Sequence, residues 1–409
     1  MKHIAIISPC ILPVPAVKGG AVEALLTFLL EENEKVEGVK FDLFSIDTDE
    51  KSETDYRNSA IYTIHKSSFV KCVDRVADKI YRTIPWPVSV KRFFDRDILA
   101  KFKEVLTQND YDYDIIVVEN QMSLAVKFLD SGLAKDSRVF FHMHNDIDIY
   151  RSPASCRKLT EYGVVFLSVS EFIKKRILDY AQNADVRVLY NGTDTDAFDI
   201  KLVEGSEKTR TELGLRPDET VFLFSGRVIP QKGVMELIDG FKDFIARNPN
   251  ENCKLLIVGF SDIPTKYEAM VLEKCRNLSE TVICHNKVNA GRMAEILACS
   301  DVMVITTVIE EAFCMAATEA MAMAKPIIAT LSGALPEILT EDNSVMISKG
   351  STMVGELSKA FERLSDSILR AKMGKRSFEI FSGKGNWHKD SYYKNFCDIV
   401  GVNDGIKSM

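Results

Sequence analysis

The segment from Val302 to Ala329 constrains the fold more than any other part of this chain. It opens with the apolar run Val302–Ile305, which has the composition of a buried parallel strand. An acidic loop follows, and then a small apolar helix over about residues 314–324, which ends at Lys325-Pro326 because proline cannot continue a helix. A second apolar run begins at Pro326. This strand–loop–helix–strand order predicts an α/β unit built on a parallel sheet.

Two acids in this segment occupy unusual positions. Glu319 lies in a helix made almost entirely of Ala and Met, and such a helix is normally buried, so its carboxylate needs a partner. Glu311 lies in the loop beyond the first strand, where ligands bind in open α/β sheets. A helix-start acid plus a glutamate satisfied inside the core would explain the spacing equally well. The pair also suits a ligand with hydroxyl groups, such as a ribose or a hexose.

The stretch from Glu311 to Glu319 resembles the E-x7-E signature of the retaining family 4 glycosyltransferases, which have the GT-B fold. The resemblance implies that Glu311 contacts the donor sugar and that Glu319 binds the ribose. The usual signature has glycine where this chain has Cys314. The donor-binding residues implied by the resemblance are Gly19, Gly20, Gly226, Arg227, Lys232, Val288, Glu311, Phe313, Cys314, Met315 and Glu319.

A motif typical of phosphate binding follows the strand-like run TVFLFS, which spans 220–225. Arg227 follows Gly226 at the turn, and Lys232 stands at the start of the next helical pattern. The two cations and the helix N-terminus would oppose the charge of a pyrophosphate, although a solvated basic loop is the alternative. The motif resembles the G-R-x4-K-G pattern of the same family, and the segment near Val288 would then lie beside the nucleobase.

The first half of the chain carries two further candidate positions. Gly19-Gly20 lies between a β-branched run and a helical pattern, which is the opening of a doubly wound fold, although paired glycines also form plain turns. His144 stands just past a predicted strand, where the family often has a histidine, and the resemblance assigns it to the donor sugar. His142 is the second choice, because strand alternation places it on the same side.

Length and motif order predict two Rossmann-like domains facing a cleft. The first spans 1–202 and ends after Asn191-Gly192, which resembles the N-G-V-D motif of the family; a charged linker over 201–219 follows. The second spans 203–385, and a final aromatic helix over 386–409 is expected to pack back on the first domain.

Composition excludes several other classes of protein. The net charge of −7 argues against a general nucleic-acid binder. Nine singly placed cysteines indicate reduced thiols and a cytoplasmic protein. The N-terminus does not resemble a signal peptide, and no apolar run approaches the ~20 residues that cross a bilayer. We therefore expect a cytoplasmic location, with the inner face of the membrane as an alternative.

Residues 66–103 have the opposite charge to the whole chain, with ten Lys or Arg against four Asp. Aromatic residues such as Tyr81, Trp86, Phe93 and Phe94 are interleaved with these charges. We favour a solvated helix pair whose aromatics face the core. Peripheral contact with an anionic membrane, or with a phosphate-bearing acceptor, is the alternative interpretation.

Asp-x-Asp triplets, which can hold divalent metal ions, begin at Asp47, Asp146 and Asp194. So short a pattern arises easily by chance, and we expect no metal and no cofactor beyond the nucleotide-sugar co-substrate.

The sequence thus predicts a retaining glycosyltransferase that moves a hexose-type sugar from a nucleotide-diphosphate donor to an acceptor hydroxyl, with Glu311, His144, Arg227 and Lys232 in the catalytic role. Bacterial surface polysaccharide or glycolipid assembly is the expected setting. A GT-B nucleotide-sugar epimerase, a phosphorylase with pyridoxal phosphate, and a non-catalytic nucleotide or carbohydrate binder remain open.

Overall fold

A computed structural model describes residues 1–49, 55–81, 92–147, 153–383, 387–402 and 407–408. The chain divides into two compact units, each described separately below. Unit 1 comprises Met1–Gly192 and Lys389–Met409, and unit 2 comprises Thr193–His388. The division therefore falls directly after Asn191-Gly192, before the predicted boundary at 202.

Unit 1 is a parallel sheet of seven strands in the order β4-β3-β1-β5-β6-β7-β8. Its apolar, β-branched runs form buried strands, as expected for a sheet covered on both faces. The seven strands of this sheet are β1 (Lys2–Ile7), β3 (Val39–Ile46), β4 (Ser59–Ile64), β5 (Ile115–Glu119), β6 (Arg138–Met143), β7 (Val165–Ser168) and β8 (Asp185–Val188). The short strand β2 (Val36–Glu37) lies outside this sheet. The helices before the second unit are α1 (Ala21–Asn33), α2 (Ser68–Tyr81), α3 (Phe94–Gln108), α4 (Met122–Asp130), α5 (Pro153–Glu161) and α6 (Glu171–Tyr180).

Unit 2 is a parallel sheet of six strands in the order β11-β10-β9-β12-β13-β14. Its strands are β9 (Thr220–Ser225), β10 (Cys253–Phe260), β11 (Val282–Asn286), β12 (Val302–Ile305), β13 (Ile327–Thr330) and β14 (Ser344–Ile347). Its helices are α7 (Glu207–Glu212), α8 (Val234–Arg247), α9 (Lys266–Arg276), α10 (Ala290–Ala298), α11 (Met315–Ala322), α12 (Leu335–Ile338), α13 (Met353–Ser365) and α14 (Ser367–Gly383). Both sheets are doubly wound, which confirms the predicted α/β class with two Rossmann-like units.

In each sheet the strand order reverses beside the first strand of the unit, β1 in unit 1 and β9 in unit 2. In unit 2, β9 pairs with β10 on one side and with β12 on the other. Ligands of doubly wound sheets bind at the carboxyl ends of the strands at this reversal. The loops after β9 and β12 are therefore the first place to look for a site.

The last long helix, α15 (Lys389–Val400), belongs to unit 1. It packs against α1 and β3, and the ring of Phe396 meets Phe41 edge-on at a centroid distance of 6.1 Å. Tyr393 donates a hydrogen bond of 2.8 Å to Asn33 in α1. The short strand β15 (Lys407–Ser408) pairs antiparallel with β2. The end of the chain therefore completes the core of unit 1.

The predicted linker over 201–219 is wrong, because this segment is ordered structure within unit 2. It contains a 3-10 turn at Ile200–Val203 and the helix α7. Glu212 of α7 pairs with Arg292 of α10 at 2.8 Å, and Arg210 lies 3.6 Å from Asp301. The charges that resembled a solvated linker instead fix α7 against its neighbours.

Candidate active site

The loop after β9 is held against the end of β12 by several close contacts. Gly233 has a φ of 64°, and a Cβ atom there would lie 2.0 Å from the backbone oxygen of Thr306. Only glycine permits this backbone to approach so closely. The hydroxyl of Thr306 donates to the backbone oxygen of Lys232 at 2.8 Å, and Val308 donates its N–H to the oxygen of Gln231 at 2.9 Å. The two loops at the strand-order reversal therefore form one rigid edge.

Lys232 and Glu311 meet across this edge. The Lys232 amine lies 2.5 Å from a Glu311 carboxylate oxygen, and both side chains are mostly buried, with 25% and 13% of their surface exposed. The two residues were predicted separately, from motifs 79 positions apart. Their contact places a cation and a carboxylate together at the carboxyl ends of β9 and β12.

Arg227 lies in the loop after β9 and is exposed. Its guanidinium forms no ion pair or hydrogen bond with any residue that the structure describes. It lines a pocket of about 440 Å³ together with Gly226, Gly259, Lys287 and Val288. Gly226 and Gly259 both have positive φ, and a Cβ on Gly259 would lie 1.9 Å from the oxygen of Gly226. The pocket therefore joins an unpaired cation to the segment expected beside a nucleobase.

The backbone conformation at Cys314 explains why the family motif usually has glycine at this position. Its φ of 91° and ψ of 83° place it in the left-handed region, immediately before helix α11. A side chain in this conformation costs about 1–2 kcal/mol. Burial raises the pKa of its thiol to about 12, and the nearby charge of Glu311 adds to this effect. Phe313 before it is buried, and Met315 is the first residue of α11.

Glu319 lies in α11 and is partly buried. Among the described residues its carboxylate has no hydrogen bond or ion pair. Burial, and next the negative charge of Asp194, raise the pKa of Glu319 to about 7. A carboxylate with this pKa and no protein partner is a candidate for hydrogen bonds from ligand hydroxyls.

Glu310, which sequence reasoning passed over, ties the loop after β13 to the site. Its carboxylate accepts a hydrogen bond of 2.5 Å from the N–H of Gly333 and forms an ion pair with Lys349. Ala334 donates its N–H to the oxygen of Glu311 at 2.9 Å, and a Cβ on Gly333 would lie 2.0 Å from that oxygen. The turn at 332–334 therefore supports the loop that carries Glu311.

His144 of unit 1 lies just past β6, as predicted, and meets a partner that the sequence analysis missed. Its Nε2 lies 2.7 Å from Oε2 of Glu119, the last residue of β5. His142 lies on the same side, with its ring centroid 3.9 Å from that of His144. The sequence signal for this partner was Glu119 itself, a glutamate at the end of a run of four apolar residues.

Gly19 and Gly20 also lie in unit 1, at the start of α1, with φ values of 75° and 106°. Gly20 precedes the helix without a side-chain cap, and a Cβ there would meet the carboxylate of Glu23. The predicted site residues thus fall into two sets, one within each unit.

The Asp-x-Asp triplets make local protein contacts. Asp47 lies 2.6 Å from His65, Asp146 accepts a hydrogen bond of 2.8 Å from Arg176, and Asp194 accepts one from the N–H of Asp196. Asp148 lies outside the described residues. In the described part of the chain, a metal-type grouping of ligand atoms within 4.8 Å of one another is formed by Glu119, His142 and His144.

Comparison with known proteins agrees with this geometry. Residues 205–379, most of unit 2, match the family model described as glycosyl transferases group 1. A lipopolysaccharide 1,2-N-acetylglucosaminetransferase of Salmonella typhimurium is 26% identical over 68% of this chain and 68% of its own length. A GDP-mannose-dependent mannosyltransferase of Corynebacterium glutamicum, acting on a monoacylated phosphatidylinositol monomannoside, is 26% identical over 75% of this chain and 81% of its own. Residues 205–379 are therefore similar to the glycosyl transferases group 1.

Solved structures share the fold of this chain over nearly its whole length. A glycosyltransferase from Rickettsia africae superposes with a TM-score of 0.74 at 16% identity, covering 98% of both chains. HepE of Anabaena, solved in complex with UDP-glucose, superposes with a TM-score of 0.68 at 15% identity, covering 98% and 99%. None of the helices in the described part of the chain has the length and apolar character needed to cross a bilayer.

Proposed function

We propose that this protein transfers a hexose-type sugar from a nucleotide-diphosphate donor to an acceptor hydroxyl with retention of anomeric configuration. The observation that carries the proposal is the contact of Lys232 with Glu311, and the unpaired Arg227 lies in the same loop after β9 as Lys232. In the proposal the two cations face the diphosphate and Glu311 binds hydroxyl groups of the sugar. The UDP-glucose complex of HepE and the GDP-mannose dependence of the Corynebacterium relative support a nucleotide-sugar donor.

In this proposal Arg227 and Lys232 oppose the charge that develops on the diphosphate as it leaves. The bond from the anomeric carbon to the phosphate oxygen breaks, and its electron pair stays on that oxygen. The acceptor oxygen bonds to the same face of the sugar, and its proton passes to the leaving phosphate. This front-face route requires no enzyme nucleophile, and Glu311 holds the sugar hydroxyls during transfer.

The proposal assigns the remaining donor contacts as follows. The pocket beside Val288 has room for a nucleobase, and Glu319 would accept hydrogen bonds from ribose hydroxyls. His144 would contact a hydroxyl of the transferred sugar. Because two cations serve the diphosphate, we propose that transfer is independent of metal ions.

We also propose that the protein works on the cytoplasmic side of a membrane, in surface polysaccharide or glycolipid assembly. The nine free cysteines suit a reducing compartment, and the two relatives act on lipid-linked glycans by name. On helix α2, Phe69 and Val76 have 77% and 54% of their surface exposed, in a segment rich in Lys and Arg. These side chains support contact with anionic lipid. Trp86, part of the predicted aromatic set, lies outside the described residues.

The decisive experiment is a thermal-shift panel of UDP, GDP, dTDP and their sugars, followed by mass spectrometry of donor turnover. A glycosyltransferase releases the nucleotide and glycosylates an added acceptor. An epimerase would convert the donor without acceptor, and a binding protein would show a shift without turnover. NMR of the anomeric proton of the product then tests retention.

Membrane contact needs a separate measurement, because it is independent of turnover. Co-sedimentation with vesicles containing anionic lipid should be lost at high salt and reduced in Phe69→Ser. Equal sedimentation with neutral vesicles, or none with either, would remove the proposal.

A further inference from the structure

Three chemically active side chains meet at the carboxyl edge of the unit 1 sheet. Glu119 ends β5, and in the parallel register it pairs with His142 of β6. His144 follows one residue beyond β6. The side chains of Glu119 and His142 have no exposed surface, and that of His144 has 5%. A carboxylate buried to this degree needs strong local interactions.

Two hydrogen-bond contacts fix His144, one through its ring and one through its backbone. Its Nε2 lies 2.7 Å from Oε2 of Glu119, and its backbone N–H donates to Oδ1 of Asn120 at 3.2 Å. Asn120 is itself held in the left-handed region with a φ of 54°, and its N–H donates to the oxygen of His142 at 2.8 Å. The ends of β5 and β6 therefore define where the imidazole lies.

The charges of this cluster decide which nitrogen of His144 carries the proton. Burial raises the pKa of Glu119, but attraction from His142 and His144 outweighs it and lowers the value to about 2. Burial, and next the charge of His142, lower the pKa of His144 to about 4. Glu23 of α1 and Tyr392 of α15 also lie within electrostatic reach of Glu119. At neutral pH an ionised Glu119 therefore faces a neutral imidazole.

An ionised carboxylate can only accept a hydrogen bond, so the Nε2 that touches it must be the protonated nitrogen. The other nitrogen, Nδ1, then carries a lone pair and can only accept. A metal ion is a poorer explanation of the cluster. Ligands at 2.0–2.2 Å from one ion lie roughly 3 Å or more apart, and the 2.7 Å separation of Nε2 and Oε2 is that of a hydrogen bond.

We propose that Glu119 is a positioning residue that keeps the proton of His144 on Nε2, so that Nδ1 accepts a hydrogen bond from a hydroxyl of the sugar substrate. The role of the hydroxyl rests on the proposed function, whereas the tautomer does not. A reversed tautomer would present an N–H to that hydroxyl and impose the opposite hydrogen-bond direction.

The tautomer can be measured on the full chain by ¹⁵N NMR with labelled histidine, His144 being assigned with the His144→Gln variant. We expect a neutral His144 with a protonated Nε2 from pH 6 to pH 8. In Glu119→Gln the amide can accept or donate, so we expect a mixture of tautomers. A protonated Nδ1 in the wild type, or His144 becoming charged between pH 6 and 7, would overturn the assignment without reference to activity.

Turnover gives the second readout. In Glu119→Gln we expect kcat to fall at least about tenfold while the Kd for nucleotide diphosphate stays unchanged, because the diphosphate contacts proposed here lie in unit 2. Asp42→Asn is the matched control: Asp42 is buried in β3 and accepts from Tyr111 and Tyr113 at 2.8 and 2.7 Å, so its loss should lower stability but not kcat. A folded Glu119→Gln enzyme with wild-type kcat would contradict the proposal.

Metal analysis of the purified protein closes the remaining alternative. We expect less than a tenth of an equivalent of zinc. Stoichiometric zinc that disappears in His142→Ala would overturn the hydrogen-bonded arrangement. If the wild type turns over no donor in the nucleotide panel, the proposed function fails. The NMR experiment still tests the tautomer of His144, because it does not depend on turnover.

Discussion

The amine of Lys232 lies 2.5 Å from the carboxylate of Glu311, across the point where the strand order of unit 2 reverses. Each residue limits the freedom of the other, and both remain partly exposed at the edge of the sheet. A ligand diphosphate that pairs with Lys232 would therefore also lie near Glu311. Glu311 would then lose its ion-pair partner and could accept hydrogen bonds from the attached sugar.

A double-mutant cycle measures this relationship. Lys232→Met and Glu311→Gln should each lower kcat/KM by about a hundredfold or more. Because each single change leaves one mostly buried charge unpaired, the double variant should be less destabilised than the sum, with a coupling of about 1 kcal/mol in the free energy of unfolding. Urea unfolding of the four proteins gives the coupling. A coupling of zero would mean that the ion pair is absent in solution.

Arg227 allows a cleaner separation of activity from stability. Its guanidinium is exposed and has no partner among the described residues, so Arg227→Ala should shift Tm by less than about 1 °C. The same change should lower kcat/KM about a hundredfold and weaken nucleotide-diphosphate binding. Arg247→Ala, at the end of α8, is the matched surface control. Near-normal turnover of Arg227→Ala would remove the phosphate role of this residue.

Glu319 predicts a pH dependence of stability. The folded pKa of about 7 exceeds the ordinary value of 4.5, so between these pH values the folded protein binds more protons than the unfolded chain. The contribution of Glu319 to stability is therefore present below about pH 4.5 and is lost as the pH rises through 7. Glu319→Gln cannot ionise and should be more stable than the wild type at pH 8 by about 1–3 kcal/mol, with no gain at pH 4.5.

Unfolding curves at several pH values test this difference, with the exposed Glu341→Gln as control. A gain that is the same at pH 4.5 and pH 8 would show that the ionisation of Glu319 is not its cause. The substitution should also weaken nucleotide binding, because an amide replaces the carboxylate proposed to accept the ribose hydroxyls.

Cys314 predicts an unusual order of variant stabilities. Its positive φ penalises every side chain, so Cys314→Gly should be more stable than Cys314→Ala by about 1 kcal/mol. Cys299, at the end of α10 with a φ of −82°, should show the opposite order. Thermal melts of the four variants are sufficient. The same order at both positions would contradict the backbone strain at Cys314.

Metal independence is tested by chelation. Prolonged EDTA treatment should leave the initial rate within about twofold of the untreated enzyme, because Arg227 and Lys232 supply the positive charge that a divalent ion would otherwise provide. If EDTA abolishes transfer and Mg²⁺ or Mn²⁺ restores it, the triplets at Asp47 and Asp146 return as candidate metal ligands.

The sequence predicted the alternating strands and helices well wherever apolar runs were continuous. It placed Glu311 after β12 and the β9 loop before α8, because turns, charges and strand ends are local properties. It also placed Asn191-Gly192 close to the division between the units. Helices α5 and α9 were not predicted, since their charged and polar faces obscure the apolar periodicity.

Contacts between distant segments could not be predicted in the same way. Nothing in the sequence pairs Lys232 with Glu311 or Glu119 with His144, because both pairs depend on which strands become neighbours in the sheet. The left-handed backbone at Cys314 was equally hidden. It became visible only as a departure from a family motif that has glycine there.

The membership of α15 in unit 1 has a consequence for synthesis on the ribosome. Unit 2 is one continuous segment, Thr193–His388, and can acquire its full set of contacts as soon as that segment has emerged. Unit 1 begins the chain, yet Tyr393 and Phe396 reach Asn33 and Phe41 only after translation has nearly finished. The half that is made first must therefore be completed last, and a premature stop near residue 388 would leave its apolar surface uncovered while unit 2 is intact.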